Sequence, residues 1–265
     1  MRKKDLTNKV VLITGASSGL GEELAYAFAE TGAILVLVAR RIDELRRVQK
    51  NVRTLTKQKV FIYSLDLSQP SEIDTVVSSI EDNVGAVDVL VNNAGFGLFK
   101  EFLSIDDKVM REMFEVNVLG MISLTQKLAK KMLTKEQGHI INVASMAGKL
   151  ASQKSTIYSA TKFAVIGFSN ALRLEFAPLG ILVTTVNPGP IRTHFFDRAD
   201  ETGDYLKKIG SLALDPKKLA KEIVQSVGKN RREINRPMLM EGTAKFSALF
   251  PKLTDFLSLH VFNLK

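Results

Sequence analysis

Short apolar runs typical of buried strands alternate along this chain with longer stretches of helical spacing. The runs are rich in β-branched residues, and the stretches between them are long enough to connect parallel strands. This pattern predicts βαβ units, whose right-handed crossovers place helices on both faces of a parallel sheet. A ligand crevice is then expected at the carboxyl ends of the strands. The predicted strands are residues 9–14, 34–39, 60–64, 87–92, 140–145 and 181–187.

The chain is long enough to bury a sizeable core within one domain. It has 265 residues, of which 45% are hydrophobic, and no repeat or linker divides it. We predict a single α/β domain over residues 1–265, with a doubly wound parallel sheet of the Rossmann type. The absence of cysteine excludes disulfides, thiolate zinc sites and a cysteine nucleophile, and no metal site is expected. Without an apolar signal segment or a run of about 18 apolar residues, we expect a cytoplasmic location.

A glycine-rich turn follows the first predicted strand and precedes a stretch of helical spacing. Glycine permits positive φ and lets a ligand approach the backbone, while the N-terminus of the next helix favours an anion. The turn is therefore predicted to hold a pyrophosphate. The residues assigned to this contact are Gly15, Ser17, Ser18, Gly19, Leu20 and Gly21.

The same turn also matches the G-x-S-x-G nucleophile elbow of α/β-hydrolases. That elbow needs earlier strands to supply an oxyanion-hole loop, but only fourteen residues precede Gly15. In addition, His139, His194 and His260 occupy no recognisable position of a catalytic triad. The hydrolase interpretation is therefore set aside.

The second predicted strand ends in Arg40 and Arg41, where NAD-binding sites commonly carry an acidic residue for the ribose 2′-hydroxyl. Guanidinium groups bind a 2′-phosphate through charge-assisted, bidentate hydrogen bonds, whereas a carboxylate would repel it. We therefore predict NADP(H) as the cofactor. The alternative is that both arginines are solvated at the start of the next helix, with Asp43 or Glu44 reaching back to a hydroxyl.

Tyr158 and Lys162 stand four residues apart on a stretch of helical spacing. Residues at i and i+4 share one face of a helix, so the phenol and the ammonium would project side by side. A cation a few ångström from a tyrosine stabilises the phenolate relative to the phenol. The pair is therefore a candidate proton donor.

Six motifs follow one another from about residue 7 to residue 193. They are Gly15-x-x-x-Gly19-x-Gly21, Asn92-Asn93-Ala94-Gly95, Asn117, Ser145, Tyr158-x-x-x-Lys162 and Pro188-Gly189. In order and spacing this set resembles the short-chain dehydrogenase/reductase family. The resemblance implies that Tyr158 is the general acid and that Lys162 assists it while holding the nicotinamide ribose. It also implies that Ser145 hydrogen-bonds the substrate oxygen and that Asn117 holds a water that relays protons.

The same resemblance implies further cofactor contacts and a reaction. The additional contacts are Asp66, Leu67, Asn93, Ala94, Gly95, Pro188, Gly189, Ile191 and Thr193. The expected reaction is that of an NADP(H)-dependent carbonyl reductase, in which a ketone or aldehyde becomes an alcohol. Oxidation of an alcohol and a non-enzymatic NADP(H)-binding sensor or scaffold stay open as alternatives. Because the family usually packs its long helices across a two-fold axis, a homo-oligomer, dimer or tetramer, is expected.

Apolar and aromatic residues follow several of the predicted strands, which favours a lipophilic carbonyl substrate. The residues expected to line its pocket are Phe96, Leu98, Phe99, Met146, Leu150, Phe195 and Phe196. The segment at about 190–215, with Gly203 and Gly210 as flexible points, is predicted to be a lid over the substrate.

The net charge of +9 raises the question of an anionic partner. Between residues 217 and 236, seven basic and two acidic residues give +5, which by default indicates a solvated surface. The alternative hypotheses are contact with anionic lipid or with an acidic acyl-carrier domain. Nucleic acid is not expected, because the basic residues match no recognisable binding motif.

The apolar extension at about 237–265, interrupted at Pro251, is predicted to pack on its own domain or on a neighbouring subunit, or to lie at a membrane surface.

Overall fold

The computed structural model describes residues 4–200, 210 and 213–260, with side chains up to residue 256. Within these residues, parallel strands form one sheet in the order β3-β2-β1-β4-β5-β6-β7. The strands are β1 Val10–Thr14, β2 Ile34–Ala39, β3 Val60–Ser64, β4 Val89–Asn92, β5 Gly138–Val143, β6 Ile181–Pro188 and β7 Glu233–Arg236.

Helices connect these strands and cover both faces of the sheet. The α-helices are α1 Gly19–Ala29, α2 Ile42–Arg53, α3 Pro70–Asn83, α4 Asp107–Phe114, α5 Gly120–Thr134, α6 Thr156–Phe176, α7 Phe195–Ala199, α8 Pro216–Ser226, α9 Met238–Leu249 and α10 Pro251–His260. A π-helical turn, Glu115–Leu119, joins α4 to α5 without a break in the chain. No helix in the described part of the chain is both long enough and apolar enough to cross a membrane.

The strands alternate their side chains between two cores, as a strand period of two residues requires. Val11 and Ile13 of β1 lie in the core beneath α1, α2 and α8, while Leu12 lies in the core beneath α3, α5 and α6. Both faces of the sheet are buried, so the strands read as continuous apolar runs.

The order in which successive strands are added to the sheet reverses at β1, because β2 and β3 lie on one side of it and β4 on the other. Ligands of such sheets bind in the crevice outside the carboxyl ends of the strands at this switch point. The order of the strands therefore places the glycine turn after β1 and the asparagines after β4 side by side.

The predicted doubly wound sheet is confirmed, and the six predicted strands are present with ends within two residues of the prediction. A seventh strand, β7, was not predicted, because Glu233–Arg236 is short and mostly polar. Pairing with β6 explains it, since tertiary contacts outweigh a weak local preference for strand. Of the predicted apolar extension, Met238–Leu249 and Pro251–His260 form α9 and α10, with the break before Pro251, and residues 261–265 lie outside the described residues. Of the predicted lid, residues 201–209, 211 and 212 lie outside the described residues.

Candidate active site

A cavity of 1270 Å³ opens along the carboxyl ends of β1, β4, β5 and β6. It begins at the glycine turn after β1 and ends among the aromatic residues of α7 and the C-terminal helices. The residues predicted from the sequence that line it are Gly15, Ser17, Ser18, Gly19, Leu20, Arg40, Arg41, Asp66, Leu67, Asn93, Ala94, Gly95, Ser145, Tyr158, Lys162, Pro188, Gly189, Ile191 and Thr193.

The glycine turn has the backbone conformation that the sequence predicted. Gly15 and Gly19 have φ of +66° and +58°, a region that glycine enters at little cost. Gly21 does not line the cavity, since it packs within the turn itself. A Cβ at this position would lie 2.2 Å from the carbonyl oxygen of Gly15. The close packing of α1 against the turn keeps the N-terminus of that helix at the cavity, where an anion is favoured.

Thr14 and Asn93 tie the ends of β1 and β4 together beneath the turn. The hydroxyl of Thr14 accepts from the backbone N–H groups of Asn93 and Ala94, each at 3.0 Å. In return, Asn93 Nδ2 donates to the carbonyl oxygen of Thr14 at 3.0 Å. These bonds fix the floor of the cavity, and Thr14 is a member of the site that the sequence analysis missed.

The two arginines after β2 have different partners. Arg41 donates to the hydroxyls of Ser17 and Ser18, at 3.3 and 3.0 Å. Arg40 lies 3.7 Å from Asp66 and 3.6 Å from Glu112. Among the residues that the structure describes, no carboxylate pairs with Arg41, so its charge faces the turn uncompensated.

A third arginine, Arg47 of α2, also lines this end of the cavity and was not predicted. It forms a bidentate ion pair with Glu22, at 2.7 and 2.9 Å, and a further hydrogen bond of 2.8 Å to Glu44. Asp43 in turn accepts from Arg46. Both acidic residues that the sequence offered as alternative hydroxyl ligands are therefore engaged with arginines of their own helix.

Tyr158 and Lys162 lie in the first turns of α6, and both line the cavity. Lys162 Nζ is 5.7 Å from the centroid of the Tyr158 ring and donates to the carbonyl oxygen of Val143 at 3.1 Å. Burial lowers the pKa of Lys162 to about 8, because an ammonium loses hydration when it is enclosed. The i, i+4 spacing thus brings a phenol and an easily titrated amine to the same wall.

Ser145 lies just after β5 and begins the short 3-10 turn Met146–Gly148. Its hydroxyl accepts from the N–H of Ala147 at 3.1 Å and donates to the carbonyl oxygen of Pro188 at 3.4 Å. The long second contact places the hydroxyl between the ends of β5 and β6, on the cavity wall.

Asn117 lies in the π-helical turn and does not line the cavity. Its side chain donates to Phe96 O at 2.8 Å and accepts from Phe96 N at 3.0 Å. A third bond, of 3.2 Å, joins it to Thr161 of α6. The amide therefore holds the loop after β4 against helix α6. π-Helical turns of this kind recur at functional sites.

Aromatic rings form the far end of the cavity, as the sequence predicted. The Tyr158 ring lies 5.8 Å from Phe99 and 5.7 Å from Phe195 between centroids, and Phe196 lies 5.3 Å from Phe195. Six of the seven predicted pocket residues line the cavity. The prediction for Leu98 is wrong, because it packs instead into the cluster formed by Phe96, Tyr158 and helix α4.

The C-terminal helices close this end, a role that the sequence analysis missed. Met240, Thr243 and Phe246 of α9 line the cavity at helical spacing, and Thr254 of α10 joins them. Large apolar side chains on the same two helices are nevertheless exposed. They are Met238, Leu239, Leu249, Phe250, Leu253 and Phe256. The spacing of Met240, Thr243 and Phe246 would have indicated one common face.

The basic residues between 217 and 236 are in part paired. Arg231 and Arg236 both donate to Glu222, at 2.8 and 2.6 Å. Arg232 lies 3.9 Å from Glu233. Three of the seven basic residues therefore have acidic partners in α8 or β7, which fits the default interpretation of a solvated surface.

Sequence comparison places these features among known proteins. Residues 9–203 match the family described as short chain dehydrogenase. The human protein dehydrogenase/reductase SDR family member 7 is 36% identical over 211 residues, which is 78% of this chain and 62% of that protein. This chain therefore spans less than two thirds of the length of that relative. A zebrafish (Danio rerio) member 7B is 32% identical over 94% of this chain and 82% of its own length.

Solved structures share the fold. L-sorbose reductase from Gluconobacter frateurii, complexed with NADPH and L-sorbose, has a TM-score of 0.79 at 28% identity, covering 88% of this chain and 97% of its own. A protein from Burkholderia phymatum in complex with NAD has a TM-score of 0.86 at 24% identity, covering 96% of each chain, and shows the fold alone. With the family match over residues 9–203, these findings identify the chain as a member of the short-chain dehydrogenase/reductase family.

Proposed function

We propose that this oxidoreductase reduces a lipophilic ketone or aldehyde to an alcohol at the expense of NADPH. The observation that carries the proposal is the meeting of Tyr158, Lys162 and Ser145 on the wall of one cavity that begins at the glycine turn. A proton donor, its cation and a hydrogen-bond donor for a substrate oxygen would then act at one point.

The residues around the turn fit a nicotinamide dinucleotide. The N-terminus of α1 and the positive-φ glycines suit the pyrophosphate, while Asp66, Leu67 and Asn93 to Gly95 suit the adenosine. Lys162 and residues 188–193 would hold the nicotinamide end. When bound, the reduced nicotinamide supplies the hydride.

The chain's own residues supply the proton and hold the substrate. The Ser145 hydroxyl exchanges its long, 3.4 Å contact with the carbonyl oxygen of Pro188 for a hydrogen bond to the substrate carbonyl oxygen, which it orients. As the carbonyl carbon accepts the hydride, the Tyr158 hydroxyl transfers its proton to the oxygen, and Lys162 stabilises the resulting phenolate. General acid catalysis of this sort contributes about 10² to 10⁴ in rate.

The proposal of NADPH in place of NADH rests on Arg41. Its guanidinium contacts only the neutral hydroxyls of Ser17 and Ser18 among the described residues, so a 2′-phosphate would supply the missing negative charge. Arg40 and Arg47 are already close to carboxylates.

The proposal of a lipophilic substrate rests on the far end of the cavity. Phe99, Phe195, Phe196, Met240 and Phe246 surround the space beyond Tyr158 with apolar atoms. A pocket lined mostly by apolar atoms favours an apolar ligand over a sugar or a small acid.

Absorbance at 340 nm with NADPH and a panel of aliphatic and aromatic ketones and aldehydes tests the reaction. We expect turnover that grows with the apolar surface of the carbonyl compound. Silence across the panel, together with tight NADPH binding, would favour the NADP(H)-binding sensor instead. Faster NADP+ reduction with the matching alcohols at cellular cofactor ratios would favour the oxidative direction.

Arg41→Ala tests the cofactor. Loss of a charged hydrogen bond should raise the KM for NADPH about 10-fold or more and leave the KM for NADH unchanged. Arg46→Ala is the control, since Arg46 is an exposed partner of Asp43 on the same helix and does not line the cavity. A wild-type preference for NADH, or equal loss with both cofactors, would contradict the assignment.

A further inference from the structure

A largely buried ion pair joins the loop after Ser145 to strand β7. Lys149 donates to Glu233, and the two side chains are only 20% and 19% exposed. Burial by itself would raise the pKa of Glu233, but hydrogen bonds from Lys149 and Asn235 outweigh it and lower that pKa. The Glu233 carboxyl is therefore ionised at neutral pH. Its hydrogen bond with Lys149 joins residues that are 84 positions apart in the sequence.

Lys149 does not line the cavity itself, but residues before and after it in the same loop do. Met146, Ala147, Leu150 and Ala151 line the cavity on either side of it, whereas Lys149 does not. Its side chain extends instead to β7. The ion pair thus fixes the loop that shapes the substrate end, without occupying any of the space.

Strand β7 also holds the strand end that the Ser145 hydroxyl contacts. Asn235 accepts from Asn187 Nδ2 at 2.7 Å and donates to Glu233 Oε2 at 3.0 Å. Asn187 immediately precedes Pro188, whose carbonyl oxygen accepts from Ser145 Oγ at 3.4 Å. Both supports of Ser145, the loop after it and the carbonyl beside it, are therefore connected to one strand.

We propose that Lys149, Glu233 and Asn235 are positioning residues that set the Ser145 hydroxyl at the substrate oxygen. None of the three lines the cavity, so they act through Ser145 and its loop. Buried ion pairs add little stability compared with apolar pairs of the same shape. The expected effect of the Lys149–Glu233 pair is therefore on geometry and not on stability, because the pair joins the loop after Ser145 to the sheet.

The first test compares Lys149→Met with Lys149→Arg and with a matched control. Lys127→Met is the control, since Lys127 pairs with Asp74 between α5 and α3, away from the cavity. The probe is decanal, or the fastest compound of the carbonyl panel if decanal is not reduced. Rates are measured at a temperature at which circular dichroism shows every variant to be folded.

We expect Lys149→Met to lower kcat/KM for the carbonyl about 10-fold, since a 1 Å misplacement can cost about 100-fold in rate. The dissociation constant of NADPH should stay unchanged. Lys149→Arg should recover most of the loss, because it restores the ion pair. Equal rates in Lys149→Met and wild type, or an equal loss in Lys127→Met, would overturn the proposal.

A double-mutant cycle separates positioning from general destabilisation. If Lys149 acts through Ser145, Lys149→Met should have little further effect on kcat/KM in a Ser145→Ala background. The same fold-loss in both backgrounds would mean that Lys149 does not act through Ser145, which contradicts the proposal.

The kinetic tests rest on the proposed carbonyl reduction, whereas a last measurement, amide hydrogen exchange, does not depend on it. Amide hydrogen exchange in residues 146–153 should be faster in Lys149→Met than in wild type or Lys127→Met, because the loop loses its connection to β7. If no carbonyl is reduced, the proposed function fails, and this exchange decides the inference by itself. Unchanged exchange would overturn it.

Discussion

At the scale of single residues, aromatic rings and an ammonium group surround the Tyr158 ring. Phe99 and Phe195 contact the ring, and Lys162 lies beside it. These contacts are made by the ring and stay available when the hydroxyl is removed. This allows the chemistry of the group to be separated from the packing of the ring.

Tyr158→Phe should lower carbonyl reduction about 10² to 10⁴-fold, because no general acid remains to protonate the developing alkoxide. NADPH binding, followed by fluorescence titration, should stay nearly unchanged. The control is Tyr63→Phe on β3, a tyrosine that lies outside the cavity and donates to the carbonyl oxygen of Ser79. Retained turnover in Tyr158→Phe would refute its role as the acid.

His139 makes stability depend on pH. It is buried at the start of β5, where Nδ1 accepts from Gly228 N at 3.1 Å and Nε2 contacts Thr184 Oγ1 at 2.9 Å. Burial, assisted by the positive charge of Lys4, lowers the pKa of His139 from 6.5 to about 4. A protonated ring would lose the bond from Gly228, since Nδ1 could no longer accept.

Because the folded pKa is the lower one, the unfolded chain binds more protons between about pH 4 and 6.5. The contribution of His139 is complete above pH 6.5, and about 3 kcal/mol of unfolding free energy should be lost as the pH falls to 4. Urea unfolding of wild type and His139→Asn at several pH values measures this contribution to the free energy of unfolding, because asparagine does not titrate. Parallel pH profiles for the two proteins would contradict the prediction.

At the scale of elements, the loop after β4 and helix α6 meet at a glycine. A Cβ on Gly97 would lie 2.8 Å from Tyr158 Cδ2 and 3.0 Å from Phe195 Cζ. The absence of a side chain at this position lets the loop approach the Tyr158 ring. The loop is held there by Asn117, which bonds both backbone groups of Phe96.

Gly97→Ala should therefore displace the Tyr158 ring, lowering kcat and destabilising the fold by about 1–3 kcal/mol through overpacking. The control is Gly167→Ala within α6, where a Cβ meets no atom within 4 Å. That change should stabilise the helix by up to about 1 kcal/mol, since glycine is unfavourable in a helix interior. Thermal unfolding and initial rates measure both effects. Wild-type kcat in Gly97→Ala would argue against this contact.

At the scale of the whole molecule, apolar residues remain exposed outside the site. Leu119 at the end of the π-helical turn and Phe163 and Leu174 on α6 are 52%, 48% and 76% exposed. Contiguous apolar surface marks interfaces with other chains, and the expected contribution of these three residues to such an interface stays a prediction. Apolar residues are also exposed on α9 and α10, where membrane contact stays a prediction. Contact of the basic residues between 217 and 236 with anionic lipid or a carrier domain stays a prediction as well.

We expect light scattering after size exclusion to give a multiple of the 29.3 kDa chain mass. Leu174→Glu should shift the protein toward the monomer, because a charge cannot be buried unpaired in an apolar interface. Leu249→Glu on α9 distinguishes the two surfaces, and dissociation by it alone would place the interface at the C-terminal helices. A monomeric wild type would contradict the expected homo-oligomer.

The amino-acid sequence determined those features of the protein that depend on local spacing. The strand and helix periods predicted the doubly wound sheet, and Tyr158 and Lys162 share a helix face because they stand four residues apart. The turn after β1 has its predicted positive φ at Gly15 and Gly19, because glycine lacks the Cβ that makes this conformation unfavourable for other residues.

Only the tertiary structure decided what depends on contacts between distant segments. Strand β7 exists because β6 pairs with its polar sequence, and Leu98 turns into a cluster with α4 instead of the cavity. Among the residues that the structure describes, Arg40 lies beside the carboxylates of Asp66 and Glu112, which come from other elements, and Arg41 has no carboxylate partner. The C-terminal helices close the cavity through contacts with segments that are distant in the sequence, which the local pattern could not predict. A local pattern states which side chains share a face, but the element that covers that face follows from the packing of the whole chain.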